Sequence, residues 1–491
     1  SALAYPDKIA VEDDKTSVTY DVYHKNARLV GLSLAKRIKG INNPVLVLSN
    51  DSAECLIAFM GVLYSGNFYV PVDASLPENR LQGMADIIKP ALIIRITDTS
   101  PVLKGTESVT YRELLEESAC TADFSALDVL HLMRSDLDPV FGIFTSGSTG
   151  TPKLVIKNMF SIIDMVRQFS DTFPLDHSSV FGNQAPFYFD ISAKDIFLSI
   201  FHGATVHIIP RSYFSFPAQL IKLLNDKKIN TLLWSGFALR LLHNFNAFSA
   251  GKIDCVRLVM FSGEALSKNV INYWLEHTNA KLVNLYGSTE TTFNCTYHVI
   301  EKPVEGQIPI GVPFKNNRVF VVNDKGQKAA PFEKGEIYVS GSCLSMGYYN
   351  DQTKTDAAFV QNPLNKMYRE LVYKTGDIGY RDESGNIYFV SRKDNQVKHM
   401  GYRIELEEIE HAVLNIEGVK LCCCVYDEKN EKIVLYYQSE KPMDREIFNS
   451  LKTVFPKYML PGRLHHEKAL PLNRNGKVDR ALLKEKVNGS I

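Results

Sequence analysis

Long apolar runs are missing from this chain. No stretch reaches the roughly 18 consecutive apolar residues that a membrane-crossing helix needs, and no charged-then-apolar leader opens it. The expectation is a protein with no membrane partner, working in the cytoplasm. An excess of one charge is missing too: Lys plus Arg and Asp plus Glu number 55 each, so no basic surplus invites nucleic acid. Cysteine is sparse, 8 in 491 residues, with no pair at metal-ligand spacing. The run Cys422-Cys-Cys424 lies in Val419-Lys-Leu-Cys-Cys-Cys-Val-Tyr426, which reads as a buried strand whose small thiols pack as apolar groups. A reducing compartment follows. A Walker A loop is also lacking, because no Gly-Lys-Ser/Thr stands at the required spacing. The first residue is not methionine, which suggests trimming or a tag.

What is present is enough apolar residue, 45%, for large cores. The length suggests about three domains, or two if one is large. Short apolar runs alternate with amphipathic stretches through the first 300 or so residues. Val45-Leu-Val-Leu48, Ala91-Leu-Ile-Ile94, Ala204-Thr-Val-His-Ile-Ile209, Thr231-Leu-Leu-Trp234 and Val256-Arg-Leu-Val-Met260 read as strands. Residues 53–63, 162–169 and 217–224 have helical spacing. This alternation predicts an α/β architecture with parallel sheets. From residue 308 the pattern turns to strands and turns, with a hairpin expected over 318–326, so a smaller β-rich subdomain is predicted. After residue 393 a compact α+β unit is expected: a helix over 406–415, strands near 420–426 and 432–438, and a helix over 444–454. The boundary falls at Lys393/Asp394, giving a large domain of residues 1–393 and a small one of residues 394–491.

Several motifs carry chemistry. In Phe144-Thr-Ser-Gly-Ser-Thr-Gly-Thr-Pro-Lys153 an apolar strand leads into hydroxyls and amides that can wrap polyphosphate oxygens, and Lys153 adds a point charge. Pro152 bars an immediate helix start. Taken alone, the segment reads first as a polar surface loop. Downstream stand Asn284-Leu-Tyr-Gly-Ser-Thr-Glu-Thr-Thr292, Tyr373-Lys-Thr-Gly-Asp377, Ser391-Arg-Lys-Asp-Asn-Gln-Val-Lys398, Gly401-Tyr-Arg-Ile-Glu405 and Pro471-Leu-Asn-Arg-Asn-Gly-Lys-Val-Asp-Arg480. Glu290, flanked by the hydroxyls of Thr289 and Thr291, suits a hard cation that also takes phosphate oxygens and water. As a lone residue it would be a solvated surface carboxylate. Lys477 rides a Gly/Asn turn that projects a long cation, although a lysine so placed is ordinarily only solvated.

This ordered series resembles the adenylate-forming superfamily of acyl-CoA synthetases, luciferases and nonribosomal peptide synthetase adenylation domains. Tyr69-Val-Pro-Val-Asp73, Phe189-Asp190 and the Asn-Gly-Lys-Val-Asp ending look most like the amino-acid-activating branch, which includes the D-alanine–carrier protein ligases. The resemblance runs from about Pro6 to Arg480. It implies ATP and Mg²⁺ as cofactors, with Thr145, Ser146, Gly147, Ser148, Thr149, Gly150 and Lys153 around the β- and γ-phosphates. Glu290 would bind the metal and Thr289 the α-phosphate. Tyr286 would stack on adenine, Asn284 would read its amino group, and Gly287, Ser288, Gly263, Glu264 and Ala265 would complete the nucleotide site. Asp377 would accept the ribose hydroxyls, with Arg392 beside it. Lys477 would enter the site and bridge the substrate carboxylate and the phosphate. Asp394 would be the hinge of a mobile small domain that brings in Gly401, whose lack of a side chain lets backbone approach a phosphopantetheine arm. Ser288 and Ser391 depart from the proline and glycine that many relatives carry, and Lys398-His-Met replaces the more usual apolar or basic pair before Gly401.

The resemblance also places an acid pocket on Asp190, Ile191, Lys194, Gly236, Met260, Ser262, Leu285, Phe293 and Asn294. An aspartate at position 190 pairs with a substrate amine in this branch, so the acid is expected to carry one. Met, Leu and Phe limit its volume. A small amino acid, an aminobenzoate, or an acidic amino acid paired with Lys194 all fit, the compact or aromatic choices ahead of the acidic one. Lys194 turned to solvent is an equal alternative. The expected partner is a phosphopantetheinylated carrier protein. An acyl-CoA ligase using free CoA, a luciferase-like monooxygenase and a non-catalytic binding module are the competing functions, and the enzyme is either free-standing or excised from a synthetase.

Overall fold

The computed structural model describes residues 1–120, 123–147, 152–472 and 478–489. The chain gathers into two compact units. The first holds Ser1–Ala74, Ile88–Ile143 and Leu154–Lys393, and the second holds Ser75–Ile87, Phe144–Lys153 and Asp394–Ile491. Segments 75–87 and 144–153, which the sequence reading assigns to the large domain, thus cluster with the C-terminal part.

In the first unit a nine-stranded sheet runs in the order Val312–Pro313, Thr296–Ile300, Lys281–Tyr286, Leu258–Ser262, Thr231–Ser235, Val180–Asn183, Thr205–Ile208, Ile9–Glu12, Ser17–Thr19. Its inner pairs are parallel and its edge pairs antiparallel. Strands covered on both faces read as unbroken apolar runs, and Leu258-Val-Met-Phe261 shows why. Leu258 and Met260 enter a core shared with the helices Tyr20–Arg37, Ala53–Tyr64, Met159–Thr172 and Asp190–His202. Val259 and Phe261 point the other way, into a core with the helices Pro217–Asp226, Gly236–Asn244 and Lys268–His277. A seven-stranded sheet, including Pro44–Ser49, Phe68–Asp73, Pro139–Thr145 and Lys153–Asn158, contributes Val45, Val47, Tyr69 and Phe141 to the first of these cores. A strand, Lys153–Asn158, follows Pro152, as the missing helix start requires. Asn158 then caps the helix Met159–Thr172 by accepting the Ser161 N–H at 2.9 Å.

The β-rich part is a five-stranded antiparallel sheet built on Asn317–Val322, Gly335–Gly341, Phe359–Gln361, Leu371–Arg381 and Ile387–Arg392. The hairpin expected over 318–326 is not what forms. Asn317–Val322 pairs along its length with Gly335–Gly341, and between them the chain makes a short turn with a Val322–Lys328 bridge, the Ala329 N–H donating to the Val321 carbonyl and the Asn323 N–H to the Gln327 carbonyl, both at 2.9 Å. The reason is hydrophobic: the bulky side chains that cover the strand come at Ile337 and Val339, which share its core with the small Ala329.

In the second unit the strands Val419–Asp427, Lys432–Ser439 and Arg463–Glu467 form one sheet, covered by the helices Leu406–Leu414 and Asp444–Val454. Cys422 and Cys424 pack in that core while Cys423 faces a smaller one with Leu483, so the buried strand expected for the cysteine run is present. The strand Arg463–Glu467, the helix Arg480–Asn488 and the hairpin Gln396–His399 with Tyr402–Glu405 had no expectation behind them. That hairpin turns on Met400 and Gly401 alone, both with positive φ (53° and 84°), as a two-residue turn of the primed kind demands. Among the described residues no helix is long and apolar enough to cross a membrane.

Candidate active site

The strand Lys281–Tyr286 carries the residues expected on the nucleotide side, alternating Asn284 and Tyr286 against Leu285. After it, Gly287 passes so close to residues 293 and 294 that a Cβ would collide with the Phe293 carbonyl and lie 2.7 Å from the Asn294 Cα. Only glycine fits there. The turn Thr289–Thr291 follows, with the Ser288 N–H donating to Thr291 Oγ1 at 2.9 Å. Cross-strand register sets Asp377 opposite Arg392. Arg392 Nη1 donates to Asp377 Oδ1 at 2.5 Å, and the Tyr286 hydroxyl donates to Oδ2 at 2.5 Å. Burial and the Asp377 charge hold the Tyr286 phenol well above its ordinary pKa, so it remains a donor. Each carboxylate oxygen has two lone pairs, which leaves Asp377 room for a vicinal diol. The Asn284 amide donates to the Pro309 carbonyl at 2.8 Å. Glu264 pairs with Arg240 at 3.1 Å, beside Gly263 (φ 101°) and the exposed Ala265.

Glu290 is fully buried, and its Oε1 accepts from the Tyr348 hydroxyl at 2.9 Å. No group of three or more His, Cys, Asp or Glu able to hold a metal ion exists among the described residues. A single carboxylate suits a cation held mainly by phosphate oxygens and water, the habit of Mg²⁺, and would not suffice for a closed protein site.

On the acid side, Asp190 opens the helix Asp190–His202, in the turn where a carboxylate is favoured by the helix dipole. Lys194 follows one turn later on the same face. It does not turn to solvent: it is 1% exposed, and Nζ donates to Asn294 Oδ1 at 2.5 Å. Burial pulls its pKa down to about 8 against the opposing charges of Asp190 and Asp195. Met260, Leu285 and Phe293 share one core face, and Ser262 ends the Met260 strand. Phe293 and Thr292 both hold positive φ (78° and 41°), a strained pair of non-glycine residues. Ile191 is half-buried, and a Cβ at Gly236 would sit 2.7 Å from Glu264 Cγ.

In the second unit the Ser146 hydroxyl donates to the Arg403 carbonyl at 2.8 Å, and the buried Thr145 hydroxyl to the Lys153 carbonyl at 3.5 Å. The start of the segment expected to wrap phosphate therefore lies on the hairpin that carries Gly401, close to the buried Gly147. Asp394 is exposed, and its Oδ1 accepts the Gln396 N–H at 3.3 Å. Ser148, Thr149, Gly150 and Lys477 lie outside the described residues.

Sequence reasoning missed Lys157, Asp195 and Tyr348. Asp195 is fully buried, accepts from Asn183 Nδ2 at 2.9 Å, and is pushed up to about 7 by burial. Lys157 is fully buried and pulled down to about 8 by burial. A signal for it existed: a lone lysine ending the apolar run Leu154-Val-Ile156.

The profile of the AMP-binding enzyme family matches residues 1–349, and the chain belongs to that family. It is 30% identical over 504 aligned residues to Zwittermicin A synthase ZmaJ of Bacillus cereus, covering 97% of this chain and 92% of that one. It is 29% identical over 508 residues to a D-alanine–D-alanyl carrier protein ligase of Bacillus cereus, covering 99% and 98%. The solved structure of holo-PA1221, an NRPS protein containing adenylation and PCP domains, matches with a TM-score of 0.85 at 24% identity, over 98% of this chain and 82% of that one. The molecule is thus an ATP-dependent, AMP-forming ligase. It adenylates a carboxylic acid.

Proposed function

We propose that this ligase activates a compact acid with an amine near its carboxylate, a small amino acid or an aminobenzoate, and passes it to the phosphopantetheine thiol of its carrier protein in nonribosomal peptide-type biosynthesis. The observation that carries the reading is Asp190 at the head of a helix whose face meets Met260, Leu285 and Phe293 in one apolar core. A carboxylate so placed needs a cationic or donor partner, and a ligand ammonium supplies one. The name of one relative pairs D-alanine with its carrier protein, which puts small amino acids first among the candidates.

In the first half-reaction a carboxylate oxygen of the acid attacks the α-phosphorus of ATP, forming the P–O bond of the adenylate as the bond to pyrophosphate breaks. Thr289 and the loop of residues 145–153 donate to phosphate oxygens. Asp377, held by Tyr286 and Arg392, fixes the ribose. Glu290 would hold Mg²⁺, which when bound offsets negative charge on the phosphates. Lys477 bridges the acid carboxylate and the phosphate. In the second half-reaction the small domain turns about Asp394, Lys477 leaves, the Gly401 hairpin enters, and the carrier thiol displaces AMP.

ATP–pyrophosphate exchange over a panel of acids tests this. Compact amine-bearing acids should exchange, and their deaminated counterparts should not. Holo-carrier protein should outcompete free CoA as acceptor; efficient turnover with CoA alone would assign the acyl-CoA ligase activity instead.

A further inference from the structure

The strand Lys153–Asn158 is apolar until Lys157. The Lys157 side chain is fully buried, and its ammonium makes no hydrogen bond among the described residues. Nζ lies 6.0 Å from the centroid of the Phe293 ring, a wall of the acid pocket. The carboxylates whose charge reaches it are Asp190, first, and Glu290. Lys157 therefore stands within the electrostatic reach of both the amine anchor and the metal carboxylate. An ammonium offers three donors, and burying it without acceptors is costly. Lys194 meets that requirement through Asn294; Lys157 has no such acceptor among the described residues.

We propose that Lys157 is a specificity-determining residue of the acid pocket, binding a hydrogen-bond acceptor, best an anionic one, on the side chain of the activated acid. The proposal rests on the reading of Asp190 as the amine anchor. The pocket then presents one carboxylate for the amine and one unmet cation for a second group, with Met260, Leu285 and Phe293 limiting length. The substrate class is a compact amine-bearing acid with a second polar group, of the size of aspartate or serine or a ring-hydroxylated aminobenzoate.

Pyrophosphate exchange with matched acids tests this on the intact protein. The pairs are aspartate against valine, serine against 2-aminobutyrate, and 3-hydroxy- against 3-methyl-2-aminobenzoate. In the pair that exchanges best, the acceptor-bearing member should lead by about 10–100-fold, the range expected for hydrogen bonds to a charged group. Lys157→Met should erase that lead and raise exchange with the apolar member, while Lys157→Arg should keep it. A thermal shift with ATP identifies variants that fold. Should Lys157→Met not fold, Lys157→Gln carries the test by narrowing a carboxylate preference while sparing a hydroxyl one. Absence of any preference in the parent, or its survival in Lys157→Met or of the full carboxylate lead in Lys157→Gln, overturns the proposal. The amine-anchor reading fails separately: Asp190→Ala would then exchange the preferred acid at the parental rate, whatever Lys157 does.

Discussion

Asp377 shows how much one carboxylate depends on neighbours far away in sequence. Tyr286 and Arg392 approach it from two different strands, and each spends a donor on one of its oxygens. Tyr286→Phe removes one charged hydrogen bond and lets the carboxylate drift. The KM for ATP should rise about tenfold with little change in kcat, since such a bond contributes about 1.5–3 kcal/mol; an unchanged KM in steady-state exchange would sever Asp377 from nucleotide binding. Asp190 sits among Lys194, Lys157 and, as proposed, the substrate amine. Its replacement by alanine leaves several cations short of a counter-charge. Exchange with the true substrate should fall at least about 10²-fold, because breaking a buried pair costs about 3–5 kcal/mol.

At the scale of elements, the helix Asp190–His202 carries a titration that the chemistry does not use. Asp195 is raised from its ordinary carboxylate range to about 7 by burial, against the opposing effects of Asn183 and Lys194. Between about pH 4 and 7 the folded chain keeps a proton that the unfolded chain releases. Stability contributed by this group is therefore lost as pH rises through that window. Asp195→Asn should stabilise the protein by about 1–3 kcal/mol at pH 8, the cost of an unmet buried polar group, and change little at pH 4. Melting temperatures of parent and variant across pH 4–8 check this, and parallel curves would remove the assignment. Lys194, depressed to about 8, acts in a separate window: its effect rises with pH between about 8 and 10.5.

At the scale of the molecule, one site is proposed to serve two half-reactions through an exchange of segments. Lys477→Ala should abolish adenylate formation, by about 10²–10³ in rate for one lost electrostatic contact, yet spare thioester formation from a pre-made adenylate. Asp394→Pro should do the reverse, because proline fixes φ and restricts the residue before it. Pyrophosphate exchange and single-turnover carrier loading separate the two steps. Equal losses in both steps for both variants would contradict a two-conformation cycle.

The sequence by itself determined what depends on neighbours along the chain. Strand–helix alternation carried the α/β class, the apolar run around Cys422 carried a buried strand, and Pro152 carried the absence of a helix after the phosphate loop. Within 284–292 the glycine, hydroxyls and Glu290 stand close enough in sequence for their shared chemistry to be read. Tertiary structure alone decided what depends on residues brought from afar. Lys194 reads as either buried or solvated until Asn294, 100 positions on, receives its proton donor. The partner of Asn317–Val322 depends on which later segment can cover its apolar face. Lys157 is one lysine among many in the sequence; it becomes a costly buried charge only because the packed chain encloses it, with the Phe293 ring 6.0 Å from its ammonium. Local pattern specifies elements because backbone hydrogen bonding and side-chain period act over a few residues, whereas burial and the meeting of charges are properties of the packed chain.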